Sequence, residues 1–192
     1  MLPADKVYGL SIGTRDSMLI GKTFYPADND STSTVAYNYG SSTEVEDYMY
    51  VSMSYETSQR GTGMIEIRKF TMENDNNLVV VSQTGGVPGN YHQAGLSAYL
   101  FRYNRLAPYR RNIFPAAADS LFMKEGIPDS IRQTIINNSN IVFDFGTKTP
   151  TLKLNSPYLT SNATIRSWLK GDHADLAWTG DRFIIRKIGF TE

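Results

Sequence analysis

The chain contains no cysteine and only two histidines, His92 and His173, in 192 residues. The first absence excludes thiol catalysis, zinc–thiolate sites and iron–sulfur clusters, all of which need a thiolate. It also excludes disulfides, and none is required, because a chain of this length buries about 70% of its unfolded surface on folding. Net charge is lacking as well. Nineteen basic residues balance nineteen acidic ones, so no long-range field draws the chain to nucleic acid or to an anionic membrane. No apolar run reaches the roughly 18 residues that a membrane-spanning helix needs. The opening Met1-Leu2-Pro3-Ala4-Asp5-Lys6 has no apolar stretch and does not read as a signal peptide. Two expectations follow: a cytosolic protein, or one that begins after a removed leader. The patterns G-x-x-x-x-G-K-S/T, G-x-G-x-x-G and H-E-x-x-H do not occur, so no cofactor is expected and no catalytic residue is assigned.

What is present is sheet-forming and weakly charged. Hydrophobic residues make up 41% of the chain and charged residues 20%, with twelve tyrosines. Polar positions carry Ser, Thr, Asn and Tyr more than Lys and Glu, as in Asn29-Asp30-Ser31-Thr32-Ser33-Thr34 and Asn137-Asn138. That surface style favours an extracytoplasmic β protein. Sequons at Asn29, Asn137 and Asn162 are read as chance products of the composition.

Periodicity places most of the chain in short strands. Val7–Ile12, Met18–Tyr25 and Val35–Tyr39 are apolar runs ended by Gly or Pro. Tyr48–Tyr55 alternates with period 2, as does Met64–Phe70, where Ile65 and Ile67 oppose Glu66 and Arg68. The turn Glu73–Asn77 returns the chain as Leu78–Ser82. The glycine-rich 84–95 segment reads as a long loop and as the one candidate boundary in a single domain, 1–192. A strand resumes over Leu96–Tyr103. Pro115 then opens a predicted helix over 116–125, Gly126 ends it, and Pro128 opens a second that Asn137-Asn138 stops. Strands return at Ile141–Phe145 and Thr151–Leu154, and Ala174–Trp178 with Arg182–Ile188 predicts a closing hairpin. Strands, a helical insert and more strands give an α+β class, mainly antiparallel β sheet with a short helical insert around residues 115–138.

Candidate sites follow from residue type. Arg102, Arg105, Arg110 and Arg111 alternate with Tyr99, Phe101, Tyr103 and Tyr109, as in proteins that stack bases between cations. Along a strand, however, Phe101 and Tyr103 share one face and Arg102 takes the other. With no net charge behind it, that pattern describes an ordinary sheet, and no nucleic acid is expected. Asp28-x-Asp30-x-Thr32 begins like a calcium loop, but Ser33 and Tyr39 stand where glycine and glutamate are needed. No metal is assigned. In Asp172-His173-Ala174-Asp175 an imidazole lies between carboxylates, which suits either a polar turn or a hydrolase recruiting a serine. Tyrosine joins a rigid apolar ring to a polar tip, which suits protein and sugar surfaces. The ligand-binding candidates are therefore Tyr91 and His92 in the 84–95 segment, with Tyr99, Arg102, Tyr103 and Tyr109.

Trp178, Gly180 and Phe183 form W-x-G-x-x-F, preceded by Tyr99-x-Phe101-x-Tyr103, Leu106 and Ile113-Phe114-Pro115. Over residues 64–190 this order resembles secreted or lipid-anchored gut Bacteroidetes proteins of unknown function. The resemblance implies a periplasmic, outer-membrane-surface or secreted location and carries no activity. The expectation is a non-enzymatic envelope protein binding a protein or carbohydrate partner. A hydrolase using His173 and a structural subunit of a phage or surface assembly are the alternatives.

Overall fold

The computed structural model describes residues 11–13, 15–16, 23–24, 35–55, 61–87 and 90–191. These form two antiparallel sheets. The first is a seven-stranded meander in sequence order: β1 (Thr23–Phe24), β2 (Val35–Ser41), β3 (Tyr48–Tyr55), β4 (Thr62–Thr71), β5 (Asn77–Val87), β6 (Asn90–Arg102) and β7 (Arg105–Pro108). The second contains β8 (Asn140–Asp144), β9 (Thr151–Asn155), β10 (His173–Trp178) and β11 (Phe183–Gly189), in the order β11-β10-β9-β8. Helix α1 (Asp129–Asn138) connects the sheets, and the short α2 (Pro157–Ser161) and α3 (Ala163–Ser167) lie between β9 and β10. The chain is thus mostly antiparallel sheet with few helices, and the helical insert is minor.

Turn chemistry sets the meander. Between β4 and β5, Asp75 takes a left-handed φ of 58° while Met72 N–H donates to the Asn76 carbonyl at 2.8 Å. Between β6 and β7, Tyr103 (φ 49°) and Asn104 (φ 58°) form a two-residue hairpin turn with both central residues left-handed. Tyr103 is therefore the tip of a turn, 96% exposed. The strand expected to run through it ends at Arg102.

Both faces of the large sheet are covered at its centre: on β4, Ile65 is 0% exposed and its neighbour Glu66 is 1% exposed. One face carries Val51, Ile65, Val81 and Tyr99. The other carries Phe70, Leu78, Val80 and Ala98, and joins Phe143, Phe145, Leu152, Leu154, Leu176 and Phe183 of the second half in the main core. Phe122, Ile135, Leu159 and Leu169 close that core from the helical segments. Trp178 and Phe183 of W-x-G-x-x-F belong to it. Their rings lie 4.9 Å apart, Phe183 meets Phe70 edge-on at 4.9 Å, and Trp178 Nε1 donates to the Thr71 carbonyl. Gly180, at φ 93°, leaves no room for a Cβ beside Glu73, so the motif docks this hairpin against the β4–β5 turn.

The sheets meet through a polar seam. Alternate residues of a strand direct N–H and C=O to the same edge, and at β8 the outward groups of Phe143 are taken by side chains of the large sheet. Phe143 N–H donates to Gln93 Oε1 at 2.8 Å, and Ser82 Oγ donates to the Phe143 carbonyl at 3.1 Å. Gln93 Nε2 reaches Ser82 Oγ and the carbonyls of Gln83 and Gly95. Just past β8, Phe145 N–H lies 3.2 and 3.3 Å from the two Glu66 oxygens, and Arg68 donates to the carbonyls of Phe145, Thr147 and Lys148.

The structure departs from the sequence reading in several places. The 84–95 segment is not a loop, since all its described residues belong to β5 or β6. The glycines mislead because one of them serves close packing: Gly86, at φ 149°, is crowded by the Asn90 carbonyl and has no space for a Cβ. The helix expected over 116–125 is reduced to a 3-10 turn at Asp119–Phe122. Its backbone is used elsewhere: Lys124 N–H donates to the Trp168 carbonyl, Lys170 N–H to that of Phe122, and Met123 bridges Leu169. Helices α2 and α3 were not anticipated. Asn162 starts α3 by accepting from Thr164 and Ile165 N–H, so the residue read as part of a sequon is a helix cap. The runs 7–12 and 18–25 and the residues Asp28, Asp30 and Thr32 lie largely outside the described residues, apart from helical Ile12 and strand β1.

Replacing Gln93 with Leu strands the buried Phe143 N–H and should destabilise the fold by about 2–4 kcal/mol. His92→Ala, at an exposed neighbour, should stay within about 0.5 kcal/mol. Urea denaturation of both variants checks this, and equal midpoints would remove the seam's claimed importance.

Candidate functional site

The face of the large sheet toward the second sheet changes character from one end to the other. Its cross-strand rows run Phe70–Leu78–Leu100, Tyr48–Arg68–Val80–Ala98, Tyr50–Glu66–Ser82–Leu96, Ser52–Met64–Thr84–Gln93 and Ser54–Thr62–Gly86–Tyr91. Apolar rows pack against the second sheet. Where the rows become hydroxyl-bearing, the sheets stand apart and leave a cleft of about 620 Å³. Such a volume falls in the range of small-molecule sites, about 300–1,000 Å³.

Ser52, Ser54, Thr62, Met64, Thr84 and Tyr91 form one wall. The opposite wall is the solvent-side face of β8 and β9, with Val142, Asp144, Lys153 and Asn155, and Asp172 and Thr191 at its margin. Lys153 is paired with Asp144. Asn155 Nδ2 donates to the Tyr91 carbonyl at 2.8 Å, and Thr62 Oγ1 to the Tyr91 hydroxyl at 3.1 Å. His173 pairs with Lys153 across β10 and β9 and so shares that face one strand further out. Its Nδ1 lies 3.1 Å from Asp172 Oδ1 and its Nε2 3.8 Å from Asp175 Oδ1. Asp172 also accepts from Thr191 N–H at 2.8 Å and Oγ1 at 3.0 Å. Partial burial opposes its ionisation, but bonds from His173 and Thr191 prevail and hold its carboxyl below the usual carboxylate range.

Glu66 stands at the base of the cleft. Burial, then the nearby Asp144 carboxylate, push its pKa up to about 7, against the lowering effect of Phe145 N–H and the Tyr48 hydroxyl. The Tyr48 hydroxyl donates to Glu66 Oε1 at 3.1 Å. Burial and the same carboxylate raise the phenol well above its ordinary range.

The six sequence-derived candidates do not converge. Tyr91 lines the cleft, while His92 is exposed. Tyr99 is buried in the core on the opposite face of the large sheet. Arg102 is exposed and donates to Asn76 Oδ1 at 2.8 Å. Tyr109 packs on the main core and, with Arg102 and Arg111, borders a separate shallow hollow. A bulge accounts for the split between Tyr91 and His92. The register passes from Gln83↔Gly95 to Thr84↔Gln93 and leaves Ala94 unpaired. Simple alternation from Leu96 turns His92 inward; the extra residue turns Gln93 and Tyr91 inward instead. The serines, threonines and Asn155 of the walls carry no motif. Among the described residues no group of three or more His, Asp or Glu side chains is placed to hold a metal ion. No helix among them is long and apolar enough to cross a membrane.

Fold and site together define a two-sheet antiparallel β domain with a hydroxyl-lined cleft between the sheets. No protein-family model and no curated protein matches the chain. Among solved structures its fold is similar to a domain of an uncharacterized protein from Porphyromonas gingivalis W83, with a TM-score of 0.60 and 12% identity over 96% of this chain and 93% of that one. At that identity the likeness is one of fold.

The raised Glu66 pKa has a definite consequence for stability. The folded state holds the proton more tightly than the unfolded chain, so the contribution is complete below about pH 4.5 and is lost as pH rises through about 7. The loss should be about 3 kcal/mol. Glu66→Gln removes it: relative to the native protein, the variant should gain stability between pH 5 and pH 8 in denaturant titrations. Parallel pH profiles would refute the assignment.

Proposed function

We propose that this is a non-enzymatic envelope or secreted protein that binds a protein or carbohydrate partner in the cleft between its sheets. The observation that carries the reading is the cleft, whose walls combine apolar side chains with hydroxyls and an amide. Few convergent polar groups beside apolar surface are what small-ligand sites use. The Ser-, Thr-, Asn- and Tyr-rich surface supports an extracytoplasmic location. So does the W-x-G-x-x-F resemblance, and the similar fold from Porphyromonas gingivalis, a member of the Bacteroidetes, agrees with it.

A hydrolase is the second reading, favoured by the contact of His173 with Asp172, whose carboxylate is held ionised. Among the described residues the His173 ring hydrogen-bonds to a carboxylate, that of Asp172, and not to a serine.

Ser54→Trp fills the cleft, whereas Tyr103→Ala alters an exposed turn. With immobilised protein and panels of soluble glycans and peptides, binding should be lost in Ser54→Trp and kept in Tyr103→Ala. The reverse result moves the site to the surface aromatics. Ester, amide or glycoside turnover abolished by His173→Ala would replace the binding reading with the hydrolase.

A further inference from the structure

We propose that the cleft takes a neutral saccharide, a choice of ligand class that rests on the cleft being the binding site. Three features of the walls select it.

The first is the absence of a free cation. Lys153 is neutralised by Asp144. Asp172 adds a carboxylate at the margin, with Thr191 and His173 bonded to its Oδ1. Glu66 is turned to Phe145 N–H and the Tyr48 hydroxyl. An anionic ligand entering the cleft would shed its hydration with no free cation to meet it, a desolvation loss that nothing on the walls repays.

The second is the absence of an open strand edge. A peptide bound by strand addition needs a row of unpaired N–H and C=O groups. Strand β3 is paired by β2 and β4, and β4 by β3 and β5. The outward groups of β8 at Phe143 are filled by Gln93 and Ser82. The walls present side chains rather than backbone.

The third is the chemistry of those side chains. Among the described residues the hydroxyls of Ser52, Ser54 and Thr84 make no hydrogen bond within the protein. Each can donate and accept, as sugar hydroxyls do. Thr62 donates to the Tyr91 oxygen, which leaves the Tyr91 O–H proton for a ligand. Met64 and Val142 offer apolar surface beside these groups, matching a ring that carries C–H on its faces and hydroxyls at its rim.

The test is a glycan array carrying neutral and acidic glycans, followed by calorimetry of its hits with the native protein and with Ser52→Ala, Thr84→Val and the double variant. A panel of unstructured peptides is run in parallel. Neutral glycans should bind, and the double variant should weaken them about tenfold. Thermal melts establish that each variant is folded, and the two single variants carry the test where the double one is not. Failure of all neutral glycans to bind overturns the proposal, as does a neutral glycan that every folded variant binds unchanged. Acidic glycans or peptides that bind alone, and are weakened by the same substitutions, refute the ligand class while leaving the cleft as the site. Glycans and peptides that all ignore the cleft variants refute both.

Discussion

The outward edge of β8 is the constraint on which the architecture turns. A four-stranded sheet has two edges, and an uncovered edge is a row of unsatisfied backbone groups open to unintended pairing. Here one edge is closed by side chains standing on the face of another sheet. Gln93, Ser82, Glu66 and Arg68 between them take the N–H and C=O groups of Phe143 and Phe145. Each side chain lies at the register position that brings it opposite its target, so the two sheets are fixed in position as well as held together. Buried polar groups stay stabilising only while every member is partnered, and the seam meets that condition through Gln93, which makes four bonds in all.

Two residues that depart from ordinary strand behaviour make the seam work. Ala94, the extra residue of the β6 bulge, reverses the facing of what precedes it and delivers Gln93 to β8. Glu66 is a carboxylate with almost no exposure in the middle of a strand. It tolerates burial by accepting from Phe145 N–H and the Tyr48 hydroxyl, and by retaining its proton to higher pH than a free glutamate. Gly146 fits the same design: a Cβ there would collide with both the Tyr48 hydroxyl and Glu66 Oε1.

The sheet content of the chain was legible because strand alternation is a local property. Tyr48–Tyr55 and the 64–70/78–82 hairpin carry it plainly, and the structure extends that hairpin without displacing it. The closing hairpin was legible for the same reason. Long-range competition defeated local signals elsewhere. Residues 116–125 have helix-forming composition, but backbone bonding of Phe122 and Lys124 with 168–170 prevails over propensity. Alternation put Glu66 and Arg68 on the face opposite Ile65 and Ile67 but did not mark it as the side that meets the second sheet, because that sheet arrives from residues some eighty positions away. Of the candidate site only Tyr91 was reached, through loop-like composition that proved to be strand. Ser52, Thr84 and Asn155 carry no spacing that marks them, since their meaning lies in a cross-strand row and in the wall opposite.

The same rows explain why a cleft exists at all. Two β surfaces close on each other as far as apolar burial rewards closure. On the large sheet that reward is present through Phe70, Leu78, Val80 and Ala98, continues at Leu96, and ends at the row of Ser52, Met64 and Thr84. Beyond it, closing the wedge would desolvate Ser54, Thr62, Lys153 and Asn155 against one another, a loss that burying Met64 does not offset. The seam at β8 acts as a hinge pin at this transition: packed core on one side, open walls on the other. The depth of the site is therefore set by where the polar rows begin, and the bulge that brings Gln93 to the seam also brings Tyr91 to the wall. Fold and site draw on one register, so a slip in β6 that freed Phe143 would also remove the tyrosine from the cleft.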